Sequence, residues 1–188
     1  MGFHISLMLQ RCLRELGRDD PVMTVSRFGD HGVRQRFADA GFQVISADLS
    51  SEADVQRLPL VPNVVFLAGV KFGTGENSAL LQRMNVLCPQ LIAQRFHASR
   101  IVALSTGCVY SFTTPESGGS VETDLVDPPG AYAVSCLGRE NAFRDAAREF
   151  GTQSVLIRLN YAIDLRYGVL LDIATRVMAG EPVSVEMG

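Results

Sequence analysis

Alternation constrains this chain most: short apolar runs recur between stretches of helical periodicity. Ile5, Leu9, Cys12, Leu13 and Leu16 follow helical spacing, and Gly17 with Arg18-Asp19-Asp20-Pro21 stops that helix. Pro21-Val22-Met23-Thr24-Val25 reads as a strand, Gly32 to Ala40 as a helix ended by Gly41, and Phe42-Gln43-Val44-Ile45 as the next strand. A short helix after Ser51, a strand Asn63 to Leu67, a long helix near Ser78 to Phe96 and a strand Ile101 to Leu104 continue the pattern. The stretch Ser111 to Gly130 holds three of the eight prolines and three glycines, so a long loop is expected before a helix from about Ala131 to Phe150 and a strand Ser154 to Ile157. Apolar strands separated by helices predict an α/β fold with a parallel sheet covered on both faces. Ligands of such a sheet sit beyond the carboxyl ends of the strands, so chemistry is expected just after each strand.

Composition narrows the function classes. With 188 residues, 47% of them hydrophobic and 20% charged, the chain fits one domain with a real core. The net charge of -3 and the scattered arginines offer no basic stripe for a phosphate backbone, so nucleic acid is not expected as a partner. No segment approaches the roughly 20 apolar residues of a membrane helix and no leader is evident, which predicts a cytoplasmic protein without a membrane partner. Cys12, Cys88, Cys108 and Cys136 lie far apart, with no histidine at ligand spacing; reduced, mostly buried thiols and no metal are expected. His4, His31 and His97 fall on helices or their ends and carry no expected catalytic role. Of the seventeen basic residues only Lys71 is a lysine.

Four stretches at strand ends carry a resemblance: Asp48-Leu49, Leu67-Ala68-Gly69-Val70-Lys71, Ser105-Thr106-Gly107-Cys108-Val109-Tyr110, and Tyr132 with its helix. In order and spacing the chain resembles the extended short-chain dehydrogenase/reductases, the NAD-dependent epimerase/dehydratase family. The likeness covers nearly the whole chain and implies a Rossmann-like doubly wound parallel sheet. The family's Gly-x-x-Gly-x-x-Gly fingerprint is missing; Gly2 before an amphipathic helix resembles its third glycine, or is an ordinary second residue. On the first alternative the sheet lacks its first strand, residues 1–188 form a partial NAD(P)-binding domain, and the carboxyl-terminal substrate region is largely absent, with a strand beginning near Gly180 to Val185. The family's central first strand leaves unpaired backbone on its neighbours when it is missing.

The resemblance implies NAD or NADP as cofactor. Gly2 would belong to the pyrophosphate cradle at a helix amino terminus. After the second strand NAD enzymes place an acid, whereas this chain has Ser26-Arg27, which suits a 2′-phosphate and leans to NADP; otherwise Arg27 faces solvent and Asp30 takes the ribose. Asp48 and the Leu49 backbone would contact adenine, and Leu67, Ala68 and Gly69 would line the cofactor. Lys71 would pair with ribose or pyrophosphate, or is a solvated loop lysine. Asn85 would order the site or lie on a helix surface, and Leu159-Asn160 would border the nicotinamide.

The resemblance also implies that Tyr132 exchanges a proton with the substrate hydroxyl while Thr106 hydrogen-bonds the same oxygen. The lysine expected four residues after the tyrosine is Cys136 here. A neutral thiol cannot favour the phenolate as an ammonium does; Lys71 or Arg139, seven residues after Tyr132, are the substitute cations. Cys136 is expected neutral and buried, or simply packing. The dehydratase branch adds an acidic pair after the threonine, where this chain has Gly107-Cys108, so dehydration is disfavoured. Expected, then, is an NAD(P)-dependent oxidoreductase or epimerase acting by hydride transfer at a hydroxyl or keto carbon of a sugar, sugar nucleotide or similar polar metabolite, and a homodimer is common in the family. The competing reading is a non-catalytic dinucleotide-binding sensor or interaction protein.

Overall fold

The structure is a computed structural model that describes residues 1–70, 77–160 and 168–183. It opens with α1 (Gly2–Glu15), β1 (Met23–Ser26), α2 (His31–Asp39), β2 (Gln43–Ser46), α3 (Glu52–Gln56) and β3 (Asn63–Phe66). There follow α4 (Ser78–Leu81), a π-helical stretch (Gln82–Leu87), α5 (Cys88–Arg95), β4 (Arg100–Thr106), α6 (Gly130–Phe150), β5 (Ser154–Leu159) and α7 (Val169–Ala179). Side chains that bond backbone N–H groups start the short helices. Asp30 accepts from Gly32 and Val33 to open α2, Ser51 accepts from Asp54 to open α3, and Asn77 accepts from Leu80 to open α4.

The strand and helix order matches the sequence expectation, with three differences. The long helix at 78–96 is interrupted by the π-helical stretch, which inserts one residue per turn and so changes which side chains face the core. Helix α7, with Asp172, Thr175 and Arg176 on one face and apolar residues around the rest, has no counterpart in the periodicity reading. Gly180 caps this helix, so no strand starts at 180–183, and 184–188 lie outside the described residues.

All strand pairs are parallel, in two groups: β1 with β2, and β3, β4, β5 in that order. Among the described residues no strand joins β1 to β3. A single hydrophobic core nevertheless joins both groups. Val25 of β1 and Ile45 of β2 pack against a buried cluster that includes Val55, Phe66, Cys88, Ile92, Ile101, Ala103 and Phe143. Ile101 and Ala103 face α5 and α6, and the alternate residues face the other way. On that second face Val65, Val155 and Ile157 are 39%, 58% and 42% exposed, so the described helices cover this three-stranded group on one face. A second aromatic cluster, Phe3, Phe28, Phe37 and Phe42, fastens α1 to α2 and the start of β2.

Packing between helices is close where it positions the site. A Cβ on Gly138 of α6 would lie 2.8 Å from Cγ2 of Val86, so α6 meets the π-helical stretch almost backbone to side chain. Among the described residues no helix is long and apolar enough to cross a membrane. The cysteines are all free; Cys88 and Cys136 are buried, Cys108 is half-buried and Cys12 is exposed, so burial of the thiols is less general than expected.

Candidate functional site

Of the expected site residues in the described part, Ser26, Thr106 and Leu159 end strands, Arg27, Asp48, Leu49, Leu67, Ala68, Gly69 and Asn160 follow strands, and Gly2, Asn85, Tyr132, Cys136 and Arg139 lie on helical segments. Gly2 is the first residue of α1, whose cap Met1 makes no side-chain bond to the helix. Ser26 ends β1 and, with Arg27, Phe28, Gly29, Asp30 and Val33, lines a groove of about 410 Å³. Asp30 Oδ1 is occupied by the Gly32 and Val33 N–H groups at 2.7 and 3.3 Å, which leaves this oxygen to the helix.

The π-helical stretch links the ends of the two strand groups. Arg83 donates from Nε to Ser50 Oγ at 2.7 Å and from Nη2 to Asp48 Oδ2 at 3.1 Å, after β2. The Asp48 carboxyl is held below the usual carboxylate range, first by the Ser50 hydroxyl and N–H and further by Arg83 and Arg27. Leu49 packs on the core beside it. Two residues beyond Arg83, Asn85 is fully buried. It accepts the Val70 N–H and donates to the Val70 carbonyl, both at 3.0 Å, and donates to Ser135 Oγ at 2.9 Å. A helix-surface role for Asn85 is thereby excluded, because the extra residue of the π-helical stretch lies where this side chain turns inward.

Asn85 also receives Arg139. Nη2 of this buried guanidinium donates to Asn85 Oδ1 at 2.7 Å and Nη1 to the Leu104 carbonyl at 3.2 Å, while Nε has no partner. Arg139 lies directly under Gly69, where an ideal Cβ would come 2.1 Å from Nη2. The segment Leu67-Ala68-Gly69-Val70 is thus held from below by α6 and the π-helical stretch, with Gly69 itself exposed. Lys71 lies outside the described residues.

At the end of β4, Thr106 is buried and its Oγ1 accepts the Cys108 N–H at 3.1 Å. Gly107 abuts Asn160, which follows Leu159 at the end of β5; a Cβ on Gly107 would meet Asn160 Oδ1 at 3.4 Å. Tyr132 and Cys136, four residues apart on α6, lie on one helix face and share a hydrogen bond. Burial pushes the Tyr132 phenol up from its ordinary value, and Cys136 adds to this both by charge and by the hydrogen bond. Arg139 pulls the other way and is outweighed. The Cys136 thiol is likewise raised by burial, against Arg139 and bonds from Tyr132 and Ser135, and is fully buried and neutral.

One cluster escaped the sequence reading. The fully buried Glu140 accepts Ser105 Oγ at 2.6 Å, Arg158 through Nε and Nη2 at 2.9 and 2.8 Å, and Arg144 at 2.8 Å. Burial raises the Glu140 carboxyl, but the bonds from Arg158 and Ser105 win and hold it ionised, below its ordinary value. Arg158 also donates to the Tyr110 hydroxyl. The signal available was Glu140 one turn past Cys136 on the face that buries Ala133 and Cys136. Among the described residues no group of three His, Cys, Asp or Glu side chains is arranged to hold a metal ion.

No protein-family model matches the sequence, and no curated protein does. Solved structures do match. UDP-glucuronic acid 4-epimerase from Bacillus cereus, in complex with NAD, superposes with a TM-score of 0.71 at 19% identity over 94% of this chain and 61% of that one. This likeness shows the fold alone, a Rossmann-like α/β fold with parallel strands. MoeE5 in complex with UDP-glucose and NAD superposes with a TM-score of 0.66 at 23% identity, over 94% of this chain and 58% of its own. RMD from Pseudomonas aeruginosa, complexed with NADPH, does so with 0.62 at 20% identity, over 82% and 59%. The chain spans about three fifths of the length of these structures.

Proposed function

We propose that this chain binds a nicotinamide dinucleotide and serves an NAD(P)-dependent oxidoreductase or epimerase that acts by hydride transfer at a hydroxyl or keto carbon of a sugar, sugar nucleotide or similar polar metabolite. The observation that carries this reading is the convergence on Gly69: a backbone stretch after β3 is left side-chain-free on top and is clamped from beneath by Asn85 and Arg139. Such a stretch lets a ligand approach the main chain closely.

The residues present fit the cofactor. The Gly2 end of α1 offers uncapped N–H groups to a pyrophosphate. The groove of Ser26, Arg27 and Gly29 suits the adenosine ribose. Since one Asp30 oxygen is taken by its own helix, Ser26 and Arg27 remain as the groups to meet a 2′-phosphate, which favours NADP over NAD. Asp48 and Leu49 would border the adenine, and Leu159 and Asn160 the nicotinamide end. When bound, the nicotinamide supplies or accepts the hydride; Thr106 and Tyr132 orient the substrate oxygen and exchange its proton. The solved structures with the same fold carry NAD or NADPH and UDP-sugars by their descriptions, which supports this class of ligand.

Titrating the full chain with NADPH, NADH and their oxidised forms, then mixing the complexes with keto sugars or sugar nucleotides, tests the proposal. Micromolar binding with transfer of the cofactor hydride is expected. Absence of dinucleotide binding overturns the reading; tight binding with no hydride transfer in either direction selects the sensor or interaction protein instead.

A further inference from the structure

We propose that Glu140 is a positioning residue. Its carboxylate holds both flanks of the turn that carries Thr106, one directly through Ser105 and the other through Arg158 and Tyr110, and ties that turn to the helix that carries Tyr132. This role rests on the hydride-transfer reading above and deepens it by naming what places the groups that orient the substrate oxygen.

Ser105 and Arg158 are partners in the ladder between β4 and β5, so one side chain of α6 can reach both. Glu140 does so. Its Oε1 accepts Ser105 Oγ at 2.6 Å and Arg158 Nε at 2.9 Å, while Oε2 accepts Arg158 and Arg144, each through Nη2 at 2.8 Å. The third nitrogen of Arg158, Nη1, donates to the Tyr110 hydroxyl, and the guanidinium carbon lies 4.7 Å from the centre of the Tyr110 ring. Ser105 directly precedes Thr106, and Tyr110 closes the turn Gly107–Val109 by donating its N–H to the Gly107 carbonyl at 3.1 Å. Between these flanks Thr106 Oγ1 accepts the Cys108 N–H at 3.1 Å.

A buried ion pair can often be replaced by apolar residues of like volume at no cost in stability, so stability alone does not account for this one. What distinguishes it is where its further bonds point. The side-on grip of Glu140 on Nε and Nη2 fixes the plane of the Arg158 guanidinium and with it the direction of Nη1, so Glu140 places Tyr110 through Arg158. Water does not loosen the grip, because the carboxylate side chain has no exposure and that of Arg158 has 13%. Tyr132 and Glu140 share α6, and the eight residues between them span about 12 Å of helix axis. Glu140 therefore acts on the substrate oxygen only through the turn and the helix it joins.

The test compares four forms of the full chain. Ser105→Ala/Tyr110→Phe cuts both links to the turn and keeps the ion pair; Glu140→Leu/Arg158→Met removes the pair; Arg144→Met takes one bond from the same carboxylate and leaves both links; wild type is the reference. Hydrogen exchange at the Cys108 amide, urea unfolding, dinucleotide binding, and kcat and KM with the keto sugar or sugar nucleotide that wild type turns over fastest are measured on each. In Ser105→Ala/Tyr110→Phe, Cys108 exchange is expected to quicken about tenfold. Its kcat is expected to fall about tenfold to a hundredfold, with KM and the dinucleotide dissociation constant nearly unchanged. Glu140→Leu/Arg158→Met should show the same losses even where its stability matches wild type, and Arg144→Met should keep wild-type exchange and kcat. Losses that instead follow unfolding free energy across the four forms, or a folded Ser105→Ala/Tyr110→Phe that keeps wild-type kcat or Cys108 exchange, overturn this proposal alone. If a double variant does not fold, Ser105→Ala and Tyr110→Phe taken singly decide by the same readouts. A wild type that binds no dinucleotide, or transfers no hydride with any of these sugars, overturns the parent enzyme reading and this role with it.

Discussion

The Arg139 guanidinium occupies the space a side chain at Gly69 would need: an ideal Gly69 Cβ falls 2.1 Å from Nη2 and 2.9 Å from Cζ. The end of an arginine usually moves aside at little cost. Here it is 7% exposed and bound to Asn85 and to the Leu104 carbonyl, so moving it breaks buried, charge-assisted bonds. Gly69→Ala is expected to cost about 1–3 kcal/mol in urea unfolding. The double variant Gly69→Ala/Arg139→Met should lose less than the sum of the two single changes, because both break the same contact. Strict additivity would separate the two residues.

Asn85 holds both polar groups of Val70. Asn85→Leu removes these bonds and leaves Ser135 and Arg139 without their shared partner. Hydrogen exchange at the Val70 amide is expected to quicken at least tenfold, and the dissociation constant for the dinucleotide to rise in step. Unchanged exchange at Val70 would show that the segment is fixed by other means.

Arg27 lies beside Asp48 and on the groove after β1. Arg27→Ala is expected to weaken NADP about tenfold or more while leaving NAD nearly unchanged, as follows from losing one cation on a 2′-phosphate. A ratio of dissociation constants that does not move removes the preference for NADP.

Glu140 neutralises Arg158 in a site where the carboxylate has no exposure and the guanidinium side chain has 13%. Glu140→Gln leaves a nearly buried cation unbalanced and is expected to cost about 3–5 kcal/mol. Glu140→Leu/Arg158→Met, which removes both charges, should recover much of it. Thermal and urea unfolding measure both.

The same groups set the pH range of stability. Glu140 has its folded pKa lowered, so its contribution is present above the ordinary carboxylate value near 4.3 and is lost as pH falls below it. Cys88 runs the other way. Burial pushes its thiol up from 9.0 to about 12, so its contribution is intact below pH 9 and is lost as pH rises towards 12. Cys136 and Tyr132, also raised, add to the alkaline loss. Unfolding free energy is expected to be level between about pH 5 and 8.5 and to fall on both sides; Cys88→Ala should flatten the alkaline limb.

What the sequence determined by itself is local. Alternation of apolar runs with helical periods announced the parallel α/β fold and put Ser26, Asp48, Gly69, Thr106 and Asn160 at or just after strand ends. The four-residue step from Tyr132 to Cys136 guaranteed that the two share a helix face. These features are written within a few residues of one another, so periodicity alone reads them. Tertiary structure decided the rest. Asn85 meets Val70 across 15 residues, Ser135 across 50 and Arg139 across 54; Glu140 meets Ser105 across 35. Whether a polar side chain on a helix faces water or a buried partner depends on which element packs over it. That was decided when the π-helical stretch turned Asn85 inward and α6 came down on β4.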